Sequence, residues 1–175
     1  MPTDWKDNTN SGEDLRKLLE RWKPLEINGV KVLIWDHKKR ESIAVIYRFL
    51  IGKNVNDEVF TIYVGSGDNL SGEEGSTSLV YQYRSGNRRT AIRPMLEKEI
   101  NKFKNRGYAA WTEIIELDES LKKKRGIIEN LAIVKYWLEY IKRLKDGTEI
   151  PKLLNRKIEK LGEITDLVRR LGFVG

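Results

Sequence analysis

The stretch VIYRFLIGKNVNDEVFTIYVGSG, Val45 to Gly67, holds two apolar runs joined by a polar loop. Residues 43–51 (IAVIYRFLI) and 59–66 (VFTIYVGS) are rich in β-branched and aromatic side chains, which suit a pleated, half-buried surface. With GKNVNDE between them they predict a pair of strands. Each strand carries a tyrosine, Tyr47 and Tyr63, and the second ends in the glycine turn Gly65-Ser66-Gly67. Ordinary packing explains a strand tyrosine. Two phenols converging on one phosphate is the sharper reading.

Outward from this pair, the chain alternates between helical and extended patterns. Upstream, residues 14–22 place Leu15, Leu18, Leu19 and Trp22 on one helical face, and Pro24 ends the segment. Residues 30–35 (VKVLIW) read as a strand. Downstream lies a long polar loop, residues 65–78, then a short helix over 79–86. A longer helix follows over 90–106, with Pro94 near its start. Residues 109–117 (AAWTEIIEL) alternate as a strand. Residues 121–144 form the strongest helical pattern, apolar around most of its circumference, and a last amphipathic helix spans about 157–171. The order predicts an α+β fold: a small, mostly antiparallel three-stranded sheet flanked by helices. The expected organisation is a core over 43–156, an N-terminal helix and strand extension over 1–42, and a C-terminal helical extension over 157–175.

Composition narrows the chemistry. The 175 residues are 39% hydrophobic and 34% charged, too apolar for a disordered chain and too charged for a membrane protein. No secretory leader is visible at the N-terminus, so a cytoplasmic location is expected. There is no cysteine and one histidine, His37, which excludes disulfides and a zinc site built on Cys and His. The net charge of +7 is uneven. Residues 1–80 hold 11 of the 33 basic and 13 of the 26 acidic side chains, so residues 81–175 hold 22 and 13. A basic second half suggests a polyanion partner.

Glu129 sits within the apolar pattern of residues 121–144, where a carboxylate is costly unless paired, protonated or bound to a cation. Asp68, Glu73 and Glu74 form a competing oxygen-rich loop, better read as a solvated acidic segment. Lys122, Lys123, Lys124 and Arg125 precede the helix as a basic run suited either to DNA phosphates or to solvent. The segment YRSGNRR, with Tyr83, Asn87, Arg88 and Arg89, and Arg93 beyond it, offers further groups for a nucleic-acid backbone and for base edges.

Taken in order, Val45-Ile46-Tyr47, Tyr63-Val64-Gly65-Ser66, an arginine-bearing helix, Glu129 in ENLAI and Asn155 in IPKLLN resemble the GIY-YIG nuclease superfamily. The resemblance covers residues 43–156. It departs at Val45, where the family has glycine, and at DNLSGEEGSTS, which resembles an insertion before the arginine helix. The resemblance implies a divalent-metal-dependent DNA endonuclease, similar to a small restriction enzyme of that superfamily. A structure-specific repair or homing nuclease, or an inactive nucleic-acid-binding module, is the alternative. It implies catalytic roles for Tyr47, Tyr63, Arg84, Glu129 and Asn155, with Glu129 holding Mg²⁺ or Mn²⁺. Arg88 and Arg89 are alternates to Arg84, and either Tyr47 or Tyr63 is the general base. Four residues beyond Arg84, where the family often has His or Tyr, this sequence has Arg88, with Tyr81 or Tyr83 as the alternative for that place. Double-stranded DNA is the implied partner, no membrane is expected, and a homodimer is compatible.

Overall fold

A computed structural model describes residues 11–53, 58–72, 78–85, 92–144 and 149–155, with residues 11–14 described by their backbone alone. The chain begins with α1 (Ser11–Leu18), whose Leu15 and Leu18, with Leu19 just beyond, are buried. Two-residue strands β1 (Lys23–Pro24), β2 (Glu26–Ile27) and β3 (Val30–Lys31) follow. β2 and β3 form a hairpin turned by Asn28 and Gly29, both at positive φ. The strand expected over 30–35 therefore stops at Lys31. Beyond it the Oγ1 of Thr112 accepts the Ile34 N–H at 2.9 Å, and the chain tightens into a 3₁₀ turn, Ile34–Asp36. That turn buries Trp35 against Phe49 and Tyr83, at centroid distances of 5.5 and 6.0 Å.

The main sheet has four antiparallel strands in the order β1-β6-β4-β5. β4 (Ala44–Gly52) is central, pairing with β5 (Val59–Gly67) on one side and β6 (Ala109–Leu117) on the other. The expected three strands are all present, and β1 adds a short fourth at the β6 edge. Having neighbours on both sides and on both faces, β4 is buried at every position except the half-buried Arg48.

Each face of the sheet carries its own apolar core. On one, Ala44, Ile46, Val64 and Ile115 pack against α1 and α5 (Arg125–Leu144). On the other, Val45, Tyr47, Phe49 and Ile62 pack against the 3₁₀ turn, α2 (Leu79–Ser85) and α3 (Arg93–Lys104). Pro94 lies in the first turn of α3, where no intrahelical N–H is needed.

β5 changes face part-way along. Thr61 lies opposite Leu50 and Tyr63 opposite Phe49, leaving Ile62 without a register partner. This β-bulge puts Ile62 and Tyr63 on the same side, in the α2/α3 core. Strict alternation from Thr61, which reaches Arg48 on the α5 face, would have sent Tyr63 there too.

The expected helix over 121–144 is divided. A short α4 (Glu119–Lys122) is capped by Asp118, whose Oδ1 accepts the Leu121 N–H at 2.9 Å, and α5 begins at Arg125. Only part of α5 is buried: Ile128, Leu131 to Val134 and Tyr136 are inside, whereas Ile141 and Leu144 are exposed. The all-round apolar pattern thus does not mean all-round burial. The helix runs antiparallel to β5. Arg125 Nε lies 3.5 Å from an Asp68 carboxylate oxygen just beyond one end of β5, and Arg143 donates to the Val59 carbonyl at the other. The last amphipathic helix expected over 157–171 lies outside the described residues.

Candidate functional site

The two strand tyrosines do meet. Tyr47 and Tyr63 lie on the same face of the sheet with ring centroids 6.4 Å apart. Tyr47 is 3% exposed, and its hydroxyl pairs with that of Tyr83 at 2.8 Å. Tyr83 rises from α2 edge-on to Tyr47 and contacts Phe49, at 5.9 and 5.6 Å. Tyr63 is half-buried and keeps contact with solvent. Tyr47 is therefore an interior anchor, and Tyr63 is the less buried phenol of the pair.

Gly65 makes this arrangement possible. It lies directly across from Tyr47, and a Cβ built on it would come within 2.4 Å of the Tyr47 hydroxyl oxygen. Gly67 is held to glycine in the same way by Leu79 of α2, 2.5 Å from where its Cβ would be. The glycines let α2 and the phenols lie flat on the end of β5.

Asn155 closes the free edge of β5 beside this cluster. Its side-chain oxygen accepts the Val64 N–H at 2.9 Å, and its amide nitrogen donates to the Val64 carbonyl at 2.8 Å. The Leu154 N–H donates to the Ile62 carbonyl at 2.7 Å. The segment thus behaves as a partial fifth strand and satisfies an edge otherwise open to solvent or to another chain.

Glu129 approaches from the other face. It shares a helical stripe with Tyr136 and Tyr140, which line a small recess with Val59 and Thr61 of β5. From Arg125 to Arg143, α5 covers about 27 Å, and β5 from Asp68 to Val59 about 30 Å. The two anchors therefore set Glu129, one turn past Arg125, about level with Ser66. Its side chain is half-buried. The structure brings Tyr47, Tyr63 and Tyr83 together on one face, fixes Asn155 at the edge between, and carries Glu129 on the helix of the opposite face.

The arginine and lysine candidates divide similarly. Arg84 donates through Nε to the Trp35 carbonyl at 2.8 Å and through Nη2 to the His37 carbonyl. Arg93 lies 4.5 Å over the Trp35 ring and donates to Glu97 at 2.6 Å and to the Tyr83 carbonyl at 2.8 Å. Both guanidiniums brace the 3₁₀ turn and α2. Tyr83, expected to contact DNA, is corrected to a core residue, 1% exposed. It ends up inside because α2 lies flat on Gly67. Lys122 and Lys123 are exposed and Lys124 half-buried, just before the first turn of α5. Asn87, Arg88 and Arg89 lie outside the described residues.

Two polar groups, Arg48 half-buried and His37 buried, lie outside the expected site. Arg48 projects onto the α5 face. It donates to Glu113 Oε1 through Nε at 3.1 Å and Nη2 at 2.7 Å, and to the Tyr136 hydroxyl at 2.7 Å, with its plane 4.6 Å from the Trp22 ring. Burial pushes the Tyr136 phenol up to about 12, against the pull of Arg48. The single charged position in an otherwise apolar strand was the available signal. His37 is 5% exposed, and neither ring nitrogen has a hydrogen-bond partner among the described residues. Burial holds its pKa below the ordinary value. Glu41, 4.0 Å away, opposes that shift, and Arg84 and Lys39 add to it.

Among the described residues no helix is long and apolar enough to cross a membrane, and no group of three or more acidic or histidine side chains is placed to hold a metal ion. No protein-family model, curated protein or solved structure matches the chain.

Proposed function

We propose that this chain is a divalent-metal-dependent DNA endonuclease that hydrolyses phosphodiester bonds, of the site-specific restriction type. The observation that carries the reading is the β4–β5 register: Tyr47 lies over Gly65, and a bulge turns Tyr63 to its side. That is the juxtaposition the GIY-YIG resemblance calls for.

In this reading Tyr63 is the group that takes a proton from the attacking water, since Tyr47 is buried against Tyr83. Asn155 holds the strand end that carries Tyr63. One half-buried carboxylate fits Mg²⁺ or Mn²⁺, because magnesium keeps most of its waters and takes one or two protein carboxylates. Glu129 would hold the ion, which when bound would stabilise charge on the phosphate and leaving oxygens. Lys122, Lys123 and Lys124, just before the same helix, favour a phosphate backbone nearby. Arg84 and Arg93 are engaged with backbone carbonyls, so Arg88 or Arg89 is the better phosphate clamp. The enzyme works as a monomer or homodimer on double-stranded DNA in the cytoplasm.

A second reading has its own support. With Arg84 and Arg93 both engaged, and Glu129 across the sheet from the phenols, the chain would bind nucleic acid without cutting it. Supercoiled plasmid incubated with Mg²⁺ or with EDTA separates the two. The nuclease reading expects discrete products with Mg²⁺ alone, and a loss of about a hundredfold or more in Glu129→Ala and Tyr63→Phe. Retarded but intact plasmid favours the binding module. An unretarded, intact plasmid at low salt removes both.

A further inference from the structure

A cleft of about 810 Å³ opens on the far side of Asn155, between α3 and the second half of α5, with residues 152–155 as its floor. That volume is ample for a nucleotide-sized ligand. Glu99 lines the cleft at 8% exposure, and its Oε1 has no hydrogen-bond partner among the described residues. A buried carboxylate oxygen in that state calls for N–H donors. Across from α3, Trp137 and Tyr140 present two half-buried rings 5.7 Å apart. The Tyr140 phenol is held above its ordinary value by burial first and by the Glu99 charge second, with Lys102 opposing, so these three groups share one space. Lys102 is engaged at the rim by Glu149, which Arg106 also holds. Lys98 and Lys152 also line the cleft, exposed, and make no ion pair with the described residues.

These groups ask for three things in one ligand: a flat ring, a donor edge and an anion. A metal ion does not satisfy them, since Glu99 is the only acid lining the cleft among the described residues and three lysines oppose a cation. A nucleotide does, and the bases differ at the edge Glu99 would meet. Guanine presents two adjacent donors there, N1–H and the N2 amino group. Adenine and cytosine present a ring-nitrogen acceptor beside their amino group, and thymine flanks its one N–H with carbonyls. A site built to pair with donors strongly rejects ligands lacking them.

We infer that this cleft binds a guanine nucleotide, with Glu99 accepting from the base edge, Trp137 and Tyr140 walling the ring, and Lys98 and Lys152 holding the phosphate. The inference rests on the nucleic-acid reading above for the choice of a nucleotide. The ligand is either a free guanine nucleotide or a guanine unstacked from a DNA strand.

Calorimetric titration of the full chain in EDTA with dGMP, dAMP, dCMP and dTMP is the test. The expected result is dGMP binding at least tenfold tighter than the others. In Glu99→Gln that preference falls to threefold or less, while Lys98→Met/Lys152→Met reduces the advantage of dGMP over deoxyguanosine at least fivefold. The lysines are exposed, so their variant reads the site even where Glu99→Gln fails to fold. Equal affinity for the four nucleotides, or a guanine preference that survives in Glu99→Gln, overturns the inference. A single-stranded oligonucleotide with one guanine, compared with its inosine counterpart lacking the N2 amino group, separates the two sources. Discrimination there assigns a base within DNA, and binding of dGMP without it assigns the free nucleotide. Glu129→Ala is expected to bind dGMP normally, so failure of cleavage and failure of this cleft are distinguishable.

Discussion

The hydroxyl of Tyr47 lies where a side chain on Gly65 would have to go. Neither partner can easily yield, because Tyr47 is buried and tied to Tyr83, and Gly65 is fixed in the β4 register. Gly65→Ala is therefore expected to lower unfolding free energy by about 1–3 kcal/mol, the usual cost of overpacking. In a Tyr47→Ala background the same change should cost much less. Urea unfolding of the four proteins in this cycle measures the coupling, and additive effects would contradict the contact.

Asn155 tests the closure of the β5 edge. Replacing it by alanine removes two buried hydrogen bonds to Val64 and should cost about 1–3 kcal/mol. Amide exchange is the more specific readout. The Val64 N–H should exchange faster in Asn155→Ala, with amides on the β4–β6 side unchanged.

The Arg48–Glu113 pair is half-buried on both sides, with side-chain exposures of 16% and 13%. Removing Glu113 leaves Arg48 with Thr61, Tyr136 and the Trp22 ring. Glu113→Ala should cost about 1.5–3 kcal/mol, and Arg48→Met/Glu113→Leu much less than the two single changes summed. Chemical denaturation gives the values.

His37 predicts a pH effect. Its folded pKa lies below the ordinary 6.5, so below pH 6.5 the unfolded chain takes up a proton that the folded chain refuses. Its contribution is fully present above pH 6.5 and is lost as pH falls through the folded value. The fall in melting temperature between pH 7 and pH 5 should be shallower in His37→Gln. An unchanged slope would show that His37 is not responsible.

Local pattern carried most of the architecture. Residues 43–51, 59–66 and 109–117 announce their strands because β-branched and aromatic residues recur there between polar loops. What local pattern cannot express is where the chain is diverted by a distant partner. VKVLIW looks like a strand, but Thr112, 78 positions beyond Ile34, draws it into a turn. Tyr83 looks like a surface contact residue, and only the flat seating of α2 on Gly67 shows it to be internal. Tyr47 and Tyr63 were legible as a pair from their spacing. Their division into anchor and solvent-facing phenol was not, because it depends on Tyr83.

The bulge at Ile62 acts as a spatial frameshift. Everything in β5 before it is read out on one parity and everything after it on the other. Deleting that single residue would place Thr61 directly before Tyr63, opposite Leu50 and Phe49, in unbroken alternation. Tyr63, Gly65 and Gly67 would keep the side of Tyr47, and Val64 and Ser66 the side of α5. Ile62 is thus the one position in β5 where the chain could lose a residue and leave the phenol pair in register.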